Sequence, residues 1–160
     1  MNKTIYFMRH ATAELRQPEL PDRPRQLIAK GQRQAEKVAA WLLAQQITPE
    51  LILCSPYPRA TQTAQIVCEK ADLTSLQQVE WLAIDTPTGT ALTALWQLLP
   101  NLPGSTLLVG HEPDFSQLIA ALLGATSPSL RIKKASLCCV ELDIHTRQAQ
   151  LQWLLPVQFM

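Results

Sequence analysis

The sequence predicts an α/β protein: a three-layer α/β/α sandwich with a mostly parallel central sheet and an antiparallel C-terminal hairpin. Three observations carry this. Short apolar runs at residues 5–8, 51–54 and 105–109 alternate with segments of helical period. Runs without polar alternation read as strands covered on both faces, the habit of parallel sheets flanked by helices. Only from residue 140 onward does the pattern change to strict alternation.

The first run ends abruptly at Arg9-His10. A polar stretch with Pro18, Pro21 and Pro24 follows, and a helix is expected from near Lys30. Its apolar positions Ala35, Val38, Ala39, Leu42 and Leu43 fall at i, i+3, i+4, i+7 and i+8, one buried face. The second run is closed by Ser55-Pro56. A helix is expected over 58–71, because proline is tolerated in a first turn and not deeper. A weak strand over 78–82 and a helix carrying Leu92, Leu95, Trp96 and Leu99 come next. The third run ends at Gly110-His111, and Pro113 opens a helix with the stripe Phe115, Leu118, Ile119, Leu122 and Leu123. The chain closes as a hairpin in which Val140, Leu142 and Ile144, then Leu151 and Trp153, alternate with polar residues. Trp41, Trp81, Trp96 and Trp153 are expected in the core.

The 160 residues are 47% hydrophobic and 17% charged, which fits one domain over 1–160 with a real core and excludes a disordered chain. With 14 Lys+Arg against 13 Asp+Glu, the formal charge is +1, so neither nucleic acid nor an acidic membrane is an expected partner. No apolar stretch reaches about 18 residues, and the N-terminal run is too short for a signal sequence. Cys54, Cys68, Cys138 and Cys139 show no C-x-x-C spacing, and no H-x-H or H-E-x-x-H pairing exists, so no metal or cofactor is expected. Reduced thiols without an export signal give a cytoplasmic expectation.

Ligands of open α/β sheets sit beyond the carboxyl ends of the strands. There the sequence places Arg9-His10, Ser55-Pro56-Tyr57-Pro58-Arg59 and Gly110-His111. Each has an ordinary explanation taken singly: a chance pair, a helix start with Ser55 as cap, a turn. Their coincidence at three matching strand ends is much less ordinary. Two guanidiniums and two imidazoles on one edge repel one another without an anion, and arginine's planar fork suits phosphate. One neutral imidazole can then act as nucleophile, with the remaining cations around the equatorial oxygens.

Phe7-Met8-Arg9-His10-Ala11 resembles the nucleophile motif of the histidine phosphatase superfamily, which contains phosphoglycerate mutases and acid phosphatases. The segment 53–64, with Ser55, Arg59 and Thr63, is similar to its second motif, and Leu108-Val109-Gly110-His111 to its third. The short chain and Gly31-Gln32-Arg33-Gln34-Ala35 look most like the SixA branch of phosphohistidine phosphatases. The resemblance implies that His10 takes the phosphoryl group while Arg9, Arg59 and His111 bind it. The family's glycine after the nucleophile is Ala11 here, so the turn is expected to use an ordinary backbone conformation. The segment Arg25-Gln26-Leu27-Ile28 departs from the branch's Arg-Pro-Leu-Thr, with Arg25 a candidate at the pocket mouth.

For a general acid the candidates are Asp85, after the weak strand, and Glu112, after His111; the ordinary account of each is a solvated loop carboxylate or a helix N-terminal charge. A site without a dedicated acid favours phosphoramidates, because an alkoxide needs a positioned proton whereas the imidazole of a phosphohistidine departs readily. The expected substrate is therefore a phosphohistidine-bearing protein; Arg131, Lys133 and Lys134 form a small basic cluster whose ordinary account is a solvated face and whose functional one is guiding an acidic phosphoprotein. Alternatives are a small-molecule phosphomonoesterase or mutase of the same superfamily and a non-catalytic phosphate-binding module. A cysteine phosphatase using Cys54 and Arg59 has the wrong loop: four intervening residues, two of them prolines without an N–H. His145 is expected in the hairpin turn. Oligomeric state is left open.

Overall fold

A computed structural model describes residues 1–160. Its strands are β1 (Asn2–Arg9), β2 (Leu51–Cys54), β3 (Leu76–Gln78), β4 (Ser105–Gly110), β5 (Leu137–Asp143) and β6 (Ala149–Leu155). Its α-helices are α1 (Ala29–Ala44), α2 (Pro58–Lys70), α3 (Thr88–Leu98) and α4 (Asp114–Leu122). The strands form one sheet in the order β3-β2-β4-β1-β5-β6. The pairs β3–β2, β2–β4 and β4–β1 are parallel, whereas β1–β5 and β5–β6 are antiparallel. The expected mostly parallel sheet with a closing hairpin is thus what forms.

Alternation along the central strands separates two cores. On one face Ile5, Phe7 and Leu108 pack with Leu95 of α3 and Phe115, Leu118 and Ile119 of α4. On the other, Met8, Ile52, Leu107 and Val109 pack with Val38 and Leu42 of α1 and Ala60, Ala64 and Val67 of α2. Each fully buried side chain of this size stabilises the fold by about 1.5–3 kcal/mol relative to exposure. The helical period read from α1 holds, with Ala35, Val38, Ala39 and Leu42 buried, but Leu43 lies at the margin and is exposed.

Three details differ from expectation. The strand expected over 78–82 is β3 at Leu76–Gln78, and residues 80–82 turn instead into a short 3-10 helix that buries Leu82. The hairpin alternation holds less strictly, because β5 lies inside the sheet and Leu137, Cys138, Cys139 and Val140 are all buried. A bulge sets Cys139 opposite Trp153 and Val140 opposite Leu151, so Gln152 is an extra residue and the phase of β6 changes there. The four tryptophans are half-buried at the core margins rather than inside: Trp81 and Trp96 against one cluster, Trp41 and Trp153 against the other.

Candidate active site

The three strand tips meet because β4 lies between β1 and β2 with all three parallel. The ladder continues one residue past each strand: His10 N–H donates to Gly110 O at 2.9 Å and Ser55 N–H to Val109 O at 3.0 Å. His111, following the middle strand, therefore sits between His10 and Ser55. The rings of His10 and His111 have centroids 5.3 Å apart.

His10 is buried, and its Nδ1 lies 2.8 Å from Ala11 O. A carbonyl oxygen can only accept, so Nδ1 carries the proton and the neutral ring keeps a bare lone pair on Nε2. Burial, with the charges of Arg59, Arg9 and Arg25, pushes the His10 pKa down to about 3. His111 is likewise pushed down to about 3 by burial and then by His10 and Arg59. Both imidazoles are neutral at pH 7. Burial is the larger cause for both rings, and only the fold reveals it. Ser55 Oγ lies 2.7 Å from His111 Nε2 and accepts Tyr57 N–H at 3.2 Å. Ser55 thus orients an imidazole and is not the helix cap, since the N-cap of α2 is Tyr57 and no side chain caps it. Tyr57 is the N-cap residue of α2, extended as a residue before proline must be, and its ring packs edge-on against His111 with centroids 5.4 Å apart.

Arg59, in the first turn of α2, is 1% exposed. Its Nη2 donates to Asp22 Oδ2 at 2.9 Å and its Nη1 to Asp22 O at 3.2 Å. Arg9 Nη1 donates to Ile132 O at 3.1 Å, and burial lowers the Arg9 pKa against the opposing charge of Glu112. Arg9 Nε, Arg59 Nε and His111 Nδ1 are all buried without a hydrogen-bond partner. Leaving such groups unmet costs about 1–3 kcal/mol each, a cost that an oxyanion reaching them would relieve. Thr63 ties the halves together: its Oγ1 donates to Arg59 O at 2.7 Å and accepts Ala11 N–H at 3.1 Å. Ala11 has no left-handed backbone, as expected for an alanine in the glycine position.

Of the remaining candidates, Arg25 reaches this cluster through Asp22, with Nη1 at 2.8 Å from Oδ1, and its Nε donates to Glu14 O. Hydrogen bonds from Arg25 and Arg59 outweigh the desolvation that raises the Asp22 pKa and hold it below the usual range. Glu112 lines a cleft beside Arg9, and its Oε1 accepts Ser116 N–H in the first turn of α4. Asp85 is exposed and left-handed, its N–H donating to Asp114 Oδ2 at 3.0 Å. Asp114, which no motif marked, shares a small cavity with His111, and burial pushes its carboxyl up to about 6. Cys54 is wholly buried with its thiol pushed up to about 11, so it is no thiolate nucleophile. His145 lies exposed in the β5–β6 turn, as expected. No helix is long and apolar enough to cross a membrane.

A sheet with two imidazoles and two arginines gathered at its strand tips defines the class, and comparison with known proteins agrees. The profile of the histidine phosphatase superfamily (branch 1) matches residues 5–83. Phosphohistidine phosphatase SixA of Escherichia coli (strain K12) is 31% identical, the alignment covering 87% of this chain and 85% of that protein. An uncharacterized protein of Picosynechococcus sp. (strain ATCC 27264 / PCC 7002 / PR-6) is 33% identical over 95% of this chain and 99% of its own. The structure of a protein histidine phosphatase SixA complexed with tungstate superposes with a TM-score of 0.86 at 25% identity, covering 98% of each chain. The chain belongs to the histidine phosphatase superfamily, as a phosphatase of the SixA type.

Proposed function

We propose that the protein removes the phosphoryl group from a phosphohistidine on a protein substrate through a covalent phospho-His10 intermediate. It would do so in the cytoplasm, where its four free cysteines stay reduced. One observation carries this reading: a neutral His10 with a bare Nε2 stands beside three buried nitrogens, Arg9 Nε, Arg59 Nε and His111 Nδ1, that have no partner. Support for the substrate class comes from the E. coli relative's name, and support for the anion from the tungstate held by the similar structure.

The substrate's phosphoryl oxygens lie against Arg9, Arg59 and His111. His10 Nε2 gives its lone pair to phosphorus while the P–N bond to the substrate imidazole breaks. The leaving nitrogen keeps that bonding pair and takes a proton from solvent. Nδ1–H of His10 continues to donate to Ala11 O, which stabilises the charge the ring gains. Water then bonds to phosphorus, the P–N bond to His10 breaks, inorganic phosphate leaves, and the displaced proton goes to solvent.

A phosphomonoesterase reading is favoured by one observation, the Asp114 carboxyl held near pKa 6 close to His111, since an alkoxide needs a donor. The decisive experiment sets a phosphohistidine protein beside a phosphorylated sugar and looks for acid-labile label on His10 after incubation with a labelled phosphodonor. Labelled His10 and faster turnover of the phosphohistidine protein are expected. Rapid hydrolysis of the sugar phosphate with no activity on the protein overturns the reading, and binding without label would make the chain a phosphate-binding module.

A further inference from the structure

Beside Arg9 opens a cleft of about 640 Å³ whose charge is one-sided. It is lined by Arg9, Lys30, Arg131, Lys133 and Lys134 against a single carboxylate, Glu112. The whole chain is nearly neutral, with 14 Lys+Arg and 13 Asp+Glu, so this concentration is local. None of the five cations has a carboxylate within 4.0 Å, since the ion pairs of the protein lie at Asp143 and Asp22. Crowding is felt at Lys134, whose pKa is lowered by burial and then by Arg9, Arg25 and Lys30.

The basic segment is fixed to the catalytic strand rather than loose. Arg9 Nη1 donates to Ile132 O, and Ala135 N–H is shared between Arg9 O at 3.1 Å and His10 O at 3.3 Å. Ile132 is 1% exposed, so its side chain pins the segment to the core while Arg131 and Lys133 on either side face solvent. The cations thus stand next to the residue that receives the phosphoryl group, at a fixed distance from it.

We infer that this cleft is the docking surface for an acidic face of the substrate protein, the carboxylates flanking its phosphohistidine lying among Lys30, Arg131, Lys133 and Lys134. This docking role presupposes the phosphohistidine phosphatase reading above. Two features favour protein carboxylates over the second phosphate of a small molecule. The cleft is much wider than one oxyanion, and three of its four outer cations are lysines. Lysine is a strongly hydrated point charge on a flexible stem, which adapts to several carboxylates, whereas a fixed phosphate subsite draws on arginine's rigid fork. Charges so placed raise the association rate of an acidic partner and select its orientation, at a strength that salt screens.

The test uses two synthetic peptides phosphorylated on histidine, one flanked by glutamates and one by glutamines, with free phosphohistidine as a substrate that has no flanking side-chain carboxylates to place among the outer cations of the cleft. At low salt the wild type is expected to turn over the acidic peptide with a kcat/KM at least about tenfold above the neutral one, the difference shrinking severalfold by about 0.3 M salt. The R131E/K133E double variant, at the two solvent-facing positions, should lose that preference and keep wild-type kcat on free phosphohistidine. Equal kcat/KM for the two peptides in the wild type overturns the docking role. So does an equal loss on all three substrates in the variant with its circular dichroism unchanged, or a stronger preference of the cleft for a small bisphosphate than for the acidic peptide. Failure to hydrolyse any phosphohistidine compound, with phosphomonoesters hydrolysed, would strike the parent reading instead.

Discussion

Asp22 Oδ2 lies 2.9 Å from Arg59 Nη2, so a loop carboxylate holds the far edge of the buried guanidinium while Nε is left without a partner. On the proposed reading, the pair sets the angle at which Arg59 meets a phosphoryl group. Asp22→Asn keeps the shape and removes the charge. It is expected to lower kcat by about tenfold with a smaller change in the inhibition constant of inorganic phosphate, since one more net positive charge faces the anion. Stability should fall by about 1–3 kcal/mol, read from urea unfolding.

His10→Ala should abolish turnover while circular dichroism stays native. It also tests the pKa. A histidine pushed down to about 3 stays neutral in the fold but takes a proton when unfolded, near pH 6.5. Stability contributed by the neutral ring is therefore present above pH 6.5 and lost as pH falls toward 3. Between pH 7 and pH 5 the wild type should lose about 2 kcal/mol more than the His10→Ala variant.

Asp114 has the opposite sign. Its pKa is raised to about 6, so its contribution is present in acid and lost as pH rises through that value. Asp114→Asn should therefore be more stable than the wild type at pH 8, by on the order of 1 kcal/mol after allowing for solvent screening of a half-buried group, with a smaller gain at pH 5. Thermal melts at the two pH values decide it.

Ser55→Ala removes the hydroxyl 2.7 Å from His111 Nε2. The ring then has both nitrogens buried without a partner. Turnover is expected to fall by about 10- to 100-fold, and Ser55→Thr, which restores an oxygen, should recover part of it.

Gly31, inside α1, lies against the loop that follows His10: a Cβ built there comes 2.0 Å from Thr12 O. That oxygen already accepts Ile28 N–H, and Gln34 Oε1 holds both Thr12 N–H and Thr12 Oγ1–H. Gly31→Ala must push helix and loop apart. A loss of about 1–3 kcal/mol is expected together with reduced kcat, although residue 31 touches no substrate.

The strands that matter most were legible because they are short, apolar on both faces and closed by charged tips, and α1 was legible from its period. That legibility extended to His10, Arg59 and His111 as one cluster, since parallel neighbours share an edge. Asp22 was not legible. It sits in a proline-bearing loop 37 positions from Arg59, and nothing local distinguishes it from other loop carboxylates. Ser55 stood inside the second motif, yet its bond to His111 spans 56 positions and depends on β2 and β4 being neighbours. Asp114 stayed hidden because its raised pKa comes from burial, which a polar residue at a helix start does not announce.

Thr63 Oγ1 is a single oxygen shared by two backbones, accepting Ala11 N–H from the turn after His10 and donating to the carbonyl of Arg59. One hydroxyl thus ties the two sides of the cluster together. On the reading proposed above, the anion meets a preformed pocket, and the adaptation a large substrate requires falls to the lysines at its rim.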